Sequence, residues 1–451
     1  MVLDPAAKKS IPSLKIRALH GSIWSTVGFG GSQLLRLVSN LLLTRLLFPE
    51  VFGIIALVQV VLQGIKMFSD VGITTSIVRD SRGDEPEYLG TAWTLQAIRG
   101  GLIWLISCLF AYPASILYHS PDLISLIPAI GFIAVIQGFN APGVMTLRRH
   151  MDLGRLLIWE LLTQIVSVAT TVVLAWQYQS IWAIPVGGVV GALFGCFSSY
   201  QMSQSGRCRF QLEPSALTNI FSFGKWIFLS TALTFLVRQG DILVLGTFLS
   251  KEQLGMFSIA AIWSKMIFQL VLKINNQVMM PLYAKVYRED KESIKNKIRK
   301  GRLILLVATL PVVWLTVAGG QFLIDTLYDS RYASAGWMLQ ILSIGVVGSV
   351  ITATAGSALL SFGDSFSFML FQVSRAVLLV GCMLLGGYYF NTVGLIVGAS
   401  ISNIVSYPCL AIALHRHKVW TPLLDLGAFG LSGFVIIVGL WITNGIMVIN
   451  N

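Results

Sequence analysis

The chain consists of two halves that resemble each other, and each half is a series of long apolar segments. A shift of 202 residues places four residues of the first half on identical residues of the second. These pairs are Trp24 and Trp226, Arg36 and Arg238, Glu50 and Glu252, and Gly53 and Gly255. Further identities follow in the same order at shifts of 210 and 207 residues. A duplicated membrane bundle is the usual build of a secondary transporter, so the repeat restricts the chain to few folds.

Apolar runs of about 20 residues, the length of a membrane-crossing helix, recur along the whole sequence. We predict thirteen spans, at 19–47, 51–77, 89–117, 123–146, 157–178, 181–203, 219–247, 254–281, 303–327, 335–361, 366–390, 393–414 and 424–448. Six spans in each half make the halves parallel repeats, since an even number returns the chain to its starting side. The predicted fold class is therefore an all-α integral membrane protein of two parallel six-helix repeats with one extra C-terminal span.

The repeat also defines the predicted domains. They are a cytoplasmic N-terminal segment (1–18), an N-lobe (19–203), a cytoplasmic loop (204–218), a C-lobe (219–414) that includes a basic cytoplasmic loop (282–302), and the extra span (424–448).

The net charge of +12 is distributed by membrane side. Of 32 Lys and Arg, 21 lie in the connections of one side, and two, Lys251 and Arg331, lie in those of the other. This bias predicts a cytoplasmic N-terminus and contact with membrane lipids, and it argues against nucleic acid as a partner. Four of the five cysteines lie inside apolar spans, which argues against a disulfide framework.

Nine Lys and Arg fall within the predicted spans. Arg45 and Lys225 lie near span ends and can snorkel to the interface. The other seven each cost about 2.5–3.5 kcal/mol at a helix centre, so they should face a cavity or a partner. They are Arg36, Lys66, Arg99, Arg238, Lys265, Lys273 and Arg375. We count only four acidic residues in the spans, namely Asp70, Glu160, Asp241 and Asp325.

The positive excess predicts a cavity that receives an anionic group such as a phosphate or diphosphate. The first two helices of each half carry polar residues along one face, and these faces are suited to line such a cavity. An alternative is that Lys66 with Asp70, and Arg238 with Asp241, neutralise each other within single helices. The sequence contains no nucleotide-binding glycine loop, so a nucleotide-driven pump is not predicted. No catalytic triad can be assembled from it either, so we predict neither an enzyme nor a cofactor.

Several runs resemble one known family. They are Leu46 to Gly53, Phe68 to Gly72, Arg238 to Asp241, and Leu327 to Tyr332. Together they are similar to the polysaccharide transporter family, the Wzx-type flippases of the multidrug/oligosaccharidyl-lipid/polysaccharide exporter superfamily. The resemblance covers about residues 19–414. It implies two six-helix lobes packed in a V around a cationic cavity, which the seven basic residues would line. Family members commonly have twelve or fourteen spans, so thirteen is a departure.

The resemblance also implies a function. The expected activity is transfer of a polyprenyl-diphosphate-linked oligosaccharide to the outer leaflet of the bacterial inner membrane, by alternating access, for surface polysaccharide export. Asp70, Asp241 and Glu160 are the candidates for ion coupling. Polysaccharide polymerase or export proteins are the expected protein partners. The alternatives are a cation-coupled multidrug antiporter, a flippase for peptidoglycan or teichoic-acid precursors, and a membrane glycosyltransferase or polymerase.

Overall fold

The computed structural model describes residues 14–70, 72–150, 152–202, 209–289 and 294–449. The first half contains α1 (Leu14–Leu46), α2 (Pro49–Phe68), α3 (Ile73–Arg79), α4 (Pro86–Leu117), α5 (Leu123–Gly138), α6 (Gly143–Arg149), α7 (Leu153–Tyr178) and α8 (Ala183–Met202). The second half contains α9 (Pro214–Phe248), α10 (Lys251–Ile274), a π-helical turn (Asn275–Met279), α11 (Met280–Glu289), α12 (Ile294–Leu327), a 3-10 turn (Ser330–Tyr332), α13 (Ala335–Ser361), α14 (Ser365–Val405), α15 (Tyr407–Arg416) and α16 (Pro422–Ile449).

The helices account for the predicted spans. Nine helical stretches in the described part are long and apolar enough to cross a membrane, and the bent pair α5 and α6 makes ten. The longest stretch, Ser365–Arg416, contains two predicted spans, because Phe390 and Asn391 break the helix with non-helical backbone angles. Helices α1 and α9, of 33 and 35 residues, supply the remaining two. The prediction of an all-α membrane protein is confirmed.

Three predicted spans are interrupted, which the apolar pattern did not indicate. Gly72, with φ of 73°, separates α2 from α3, and the axes of α5 and α6 differ by 73°. In the eighth span the π-helical turn follows α10, and Asn275 Nδ2 there donates to the Ala353 carbonyl at 2.6 Å. Short π-helical turns are often found at functional sites. In the segment 282–302, predicted as a basic cytoplasmic connection, α11 extends to Glu289 and α12 begins at Ile294.

The first compact unit comprises Met1–Leu47, Ser69–Tyr112 and Ile124–Phe228. Within it α7 and α8 pack through small residues. A Cβ atom on Gly187, Gly191 or Gly195 of α8 would overlap the side chains of Thr171, Ser167 and Thr163 of α7, respectively. Such small-residue faces let membrane helices approach closely where no hydrophobic effect drives them together.

Connections predicted for the cytoplasmic side contact one another in this first unit. Arg82 Nη1 lies 2.8 Å from Glu213 Oε1, and Arg149 Nε lies 2.9 Å from Asp84 Oδ2. Hydrogen bonds from Arg82 lower the pKa of Glu213. The segment after α8 is thus tied to the loop before α4, as two connections on one membrane side require.

The second compact unit comprises Phe48–Phe68, Pro113–Leu123 and Leu229–Asn451. It therefore includes α2, a helix of the first repeat, which packs against α10. The predicted lobe boundaries, 19–203 and 219–414, follow the repeat and stay a prediction.

One ion pair of the second unit lies outside the membrane-spanning segments. Asp364 Oδ1 accepts from the Ser367 amide at 2.9 Å and so caps α14, while Asp364 Oδ2 lies 2.6 Å from His417 Nε2. The hydrogen bond from His417 is the largest cause that holds the pKa of Asp364 at about 2. The folded-state pKa is therefore below its ordinary value near 4. The stability it contributes is present above about pH 4 and is lost as the pH falls towards about 2.

We expect His417→Ala to lower the melting temperature at pH 7, and this difference from the unmodified protein to shrink as the pH falls from about 4 to about 2. The melting temperature is measured by intrinsic tryptophan fluorescence of the detergent-solubilised protein. His415→Ala is the matched control, because the ring of His415 packs edge-on against that of Trp420 and forms no ion pair in the described ranges. An equal deficit at pH 7 and pH 2 would show that His417 acts through packing alone.

Candidate functional site

The two predicted basic residues of the first unit differ in their surroundings. Arg36 is exposed on α1, and its Nη2 donates to Ser32 Oγ at 3.2 Å. Ser32 is itself held by Gln164 of α7, with Ser32 Oγ donating to Gln164 Oε1 at 2.8 Å. Ser32 of α1 therefore contacts α7, and the Arg36 guanidinium lies beside this neutral hydroxyl.

Arg99 of α4 binds the break between α2 and α3. Its Nε donates to the Ser69 carbonyl at 2.9 Å, and its Nη2 lies 3.9 Å from Asp70 Oδ1. Asp70 Oδ1 also accepts from the Gly72 amide at 3.0 Å. Because α2 ends at Phe68, Asp70 lies beyond the helix, and the expected intrahelical spacing between Lys66 and Asp70 does not apply. Lys66 is half-buried in the last turn of α2.

In the second unit Asp241 is paired across two helices. Its Oδ2 lies 2.6 Å from Lys265 Nζ of α10, and its side chain is only 14% exposed. Asp241 therefore pairs between α9 and α10, and not within α9 with Arg238 as in the alternative considered above. Arg238 is exposed and forms no ion pair within the described part of the chain. The positive charge of Lys265 is thus neutralised by Asp241, whereas none of the described acidic residues neutralises that of Arg238.

Arg375 of α14 is surrounded by neutral groups. Its Nη2 donates to Asn403 Oδ1 at 2.8 Å and lies 3.5 Å from Ser349 Oγ, and its guanidinium carbon lies 5.9 Å from the centre of the Phe268 ring. Asn403 Nδ2 donates to the Ala399 carbonyl at 3.1 Å, which orients the amide oxygen towards Arg375. No carboxylate pairs with Arg375 among the described residues. Neutral partners thus position its positive charge, and within the described ranges no counter-ion neutralises it.

The remaining candidates are Lys273 of α10 and Glu160 of α7. Lys273 is half-buried in the last turn of α10, next to the π-helical turn. Glu160 of α7 is exposed, and its Oε1 lies 3.1 Å from Arg148 Nη2. Each of the three acids proposed for ion coupling therefore has a basic partner.

One buried pair is absent from the residues predicted above. Arg302 and Asp425, on α12 and α16, are 1% and 0% exposed and form a salt bridge through Arg302 Nη2 and Asp425 Oδ1. Tyr407 Oη donates to Asp425 Oδ2 at 2.6 Å, and Arg302 Nη1 donates to Thr421 Oγ1 at 2.8 Å. The count of four acidic residues in the spans is wrong, because Asp425 lies within the thirteenth.

Arg302 falls in the predicted loop because it ends a strongly basic segment. The signal that could have found the pair is Asp425 itself, an acid at the start of a span whose cost demands a partner. Since this pair joins α16 to α12, helix α16, which contains the predicted thirteenth span, is part of the second unit's core.

Comparison with known proteins agrees with this architecture. The family model described as "Polysaccharide biosynthesis protein" matches residues 42–336. The succinoglycan biosynthesis transport protein ExoT of Rhizobium meliloti (strain 1021) is 23% identical over 384 residues, which cover 85% of this chain and 77% of ExoT.

Solved structures share the fold. The lipid II flippase MurJ in an inward closed conformation superposes with a TM-score of 0.71 at 10% identity, covering 95% of this chain and 98% of MurJ. An inward-facing multidrug resistance MATE family transporter of the MOP superfamily superposes with a TM-score of 0.63 at 15% identity, covering 90% and 95%. At these identities the likeness establishes the fold alone. The family match spans more than half of the chain, and the chain therefore belongs to the polysaccharide biosynthesis protein family.

Proposed function

We propose that this protein is a flippase that moves a polyprenyl-diphosphate-linked oligosaccharide from the cytoplasmic to the outer leaflet for surface polysaccharide export. The diphosphate and the sugars enter a positively charged path, the prenyl tail stays in lipid, and alternating access releases the headgroup outside. No bond is made or broken. Membership of the polysaccharide biosynthesis family supports the substrate class. ExoT is named as a succinoglycan biosynthesis transport protein, and MurJ, which shares the fold, is named as a lipid II flippase.

Arg375 is the observation that carries the proposal. A guanidinium within a membrane helix is costly, and here its hydrogen bonds go to Asn403 and Ser349, which are neutral. An incoming diphosphate would provide the missing counter-charge, and a guanidinium can bind it with two parallel hydrogen bonds. Arg36 and Arg238, which are equivalent in the repeat, are further exposed cations without an acidic partner in the described ranges.

The acidic residues argue against a multidrug antiporter. An exporter of cationic drugs needs a carboxylate that is free to bind its substrate or a coupling ion. Here Asp241 pairs with Lys265, Asp70 with Arg99 and Glu160 with Arg148. A cation would have to displace a lysine or an arginine from each of them, which favours an anionic substrate.

The location and partners follow from the same proposal. The charge bias of the connections supports a multi-pass protein of the bacterial inner membrane with a cytoplasmic N-terminus. Polysaccharide polymerase or export proteins are the proposed partners after transfer. A glycosyltransferase or polymerase would need positioned acids or bases in sizeable outer loops, and the connections predicted for that side are short.

A reconstitution experiment tests the function directly. Proteoliposomes are loaded with a fluorescent polyprenyl-diphosphate-linked oligosaccharide, and its transfer between leaflets is measured beside efflux of a cationic dye. We expect transfer of the lipid-linked sugar and no dye efflux above that of protein-free vesicles. A prenyl monophosphate without sugar is the matched substrate control. Dye efflux without sugar transfer would contradict the proposal and point to Asp241 and Asp70 as the functional groups.

A further inference from the structure

The second span of each repeat is interrupted at the same point. In the first half α3 begins at Ile73, directly after Gly72 with its positive φ. In the second half the π-helical turn begins at Asn275, and the shift of 202 residues between the repeats places Ile73 on Asn275. Apolar segments that are interrupted at corresponding positions of two repeats indicate where a transporter binds its substrate. The π-helical turn is therefore a candidate for part of the binding site.

Asn275 fixes the π-helical turn to α13. Its side chain is only 2% exposed. Its Nδ2 donates to the Ala353 carbonyl at 2.6 Å, and its Oδ1 accepts from Ser357 Oγ at 3.0 Å. Because both polar atoms of this buried amide are paired with α13, the orientation of the turn is set. The next two side chains, Asn276 and Gln277, are exposed.

The two exposed amides continue a polar face of α10. Lys265, Gln269 and Lys273 follow one another at intervals of four residues and lead to the turn. Val271, on the opposite side of the helix, is fully buried in a cluster with valines of α13. Hydrocarbon offers an amide no hydrogen-bond partner, so an exposed polar face within a span requires water beside it. The turn thus presents its two amides to an aqueous path.

Helix α13 contacts both the π-helical turn and Arg375. Ser349 Oγ lies 3.5 Å from Arg375 Nη2, and Ala353, four residues further along α13, accepts the hydrogen bond from Asn275. Four residues of an α-helix span about 6 Å along its axis. A headgroup whose diphosphate is bound by Arg375 therefore has its sugars within reach of the turn.

We propose that Asn276 and Gln277 bind hydroxyl groups of the sugar headgroup and so determine in part which oligosaccharide is transferred. This inference rests on the proposed function and adds to it the residues that distinguish the sugar. An amide offers two N–H donors and one carbonyl acceptor, which match a hydroxyl group that both donates and accepts. A site built to hydrogen-bond a hydroxyl discriminates against a ligand that lacks it. Because the two amides are neutral, they add no charge attraction for the diphosphate.

Binding of two lipids, one with the sugar and one without it, tests the assignment. The dissociation constants of the detergent-solubilised protein for a polyprenyl-diphosphate-linked oligosaccharide and for the polyprenyl diphosphate alone are measured by microscale thermophoresis. In the double variant Asn276→Ala with Gln277→Ala, we expect the Kd for the lipid-linked oligosaccharide to rise at least about tenfold, because hydrogen bonds to the sugar are lost. The Kd for the polyprenyl diphosphate should stay within about twofold, since its charge is bound elsewhere.

Asn296→Ala is the matched control, because it removes an exposed amide from α12, outside the turn, and should change neither dissociation constant. Size-exclusion chromatography verifies that the variants are folded. Unchanged binding of the lipid-linked oligosaccharide by the double variant would overturn the assignment, and so would an equal loss for both lipids, which would show that the turn does not distinguish the sugar. In both cases the unmodified protein still transfers the lipid-linked oligosaccharide in proteoliposomes. If the unmodified protein neither binds nor transfers it, the proposed function fails and the assignment fails with it.

Discussion

Asp425→Ala is expected to destabilise the protein by about 3–5 kcal/mol, because it leaves the guanidinium of Arg302 buried without a counter-charge. Both side chains are essentially inaccessible to solvent. The replacement also removes the acceptor of the Tyr407 hydroxyl. Thermal unfolding in detergent, followed by size-exclusion chromatography, measures the loss as a lower melting temperature and a smaller monodisperse fraction.

The double variant Arg302→Met with Asp425→Leu separates charge from packing. Exchanging a whole buried ion pair for apolar residues is often neutral or stabilising, so this variant should recover most of the loss. Asp329→Ala is the matched control, since Asp329 and Arg331 are 38% and 31% exposed, and loss of their pair and of the cap on the Arg331 amide should cost only about 0.5–2 kcal/mol. Equal melting temperatures for Asp425→Ala and Asp329→Ala would contradict the prediction.

The pair between Arg302 and Asp425 also shows how α16, the helix of the predicted thirteenth span, is attached to the bundle. A helix outside the repeat could be an accessory that lies loosely against the bundle. Here α16 supplies the acid that neutralises a buried arginine of α12, and Trp314 of α12 donates to Ser432 of α16 at 3.0 Å. Truncation before Pro422 should therefore destabilise the protein at least as much as Asp425→Ala, because it leaves Arg302 unpaired and also removes the packing of α16 against the core.

The sequence predicted the helices and the family well because the bilayer leaves little choice. Backbone groups in lipid must be paired within the chain, so an apolar run of about 20 residues has to be helical. The interruptions within the predicted spans could not be predicted in this way. Gly72 interrupts its span through a positive φ, and the π-helical turn is held by the side chain of Asn275 on the Ala353 carbonyl, a contact 78 residues away. Neither feature changes the apolar pattern.

The sequence indicates which basic and acidic residues are candidates for the site, but not how they pair. All seven basic residues fall on helices, yet which acid meets which base depends on contacts between helices. Asp241 lies three residues from Arg238 but pairs with Lys265, and Asp70 lies four residues from Lys66 but pairs with Arg99. Spacing along one helix cannot distinguish these outcomes. Arg302 was missed for the same reason, since its partner is 123 residues away.

Arg375→Ala is expected to lower the rate of lipid-linked sugar transfer by about 10- to 100-fold while the protein stays folded. A hydrogen bond to a charged group contributes about 1.5–3 kcal/mol, and about 1.4 kcal/mol corresponds to a factor of ten. Arg375→Lys keeps the charge but loses the planar fork, so its rate should lie between those of alanine and arginine. The proteoliposome transfer assay gives the rates, and size-exclusion chromatography verifies folding.

Arg148→Ala is the matched control for Arg375→Ala, because Arg148 is an arginine whose partner, Glu160, is acidic and exposed. Its transfer rate should stay within about twofold of the unmodified protein, since exposed ion pairs contribute little. Asn403→Leu removes the amide that orients the Arg375 guanidinium, and it should reproduce part of the Arg375→Ala defect without changing the charge of the path. If Arg375→Ala is folded and transfers the sugar at the full rate, the anion is held elsewhere, and Arg36 and Arg238 become the residues to replace together.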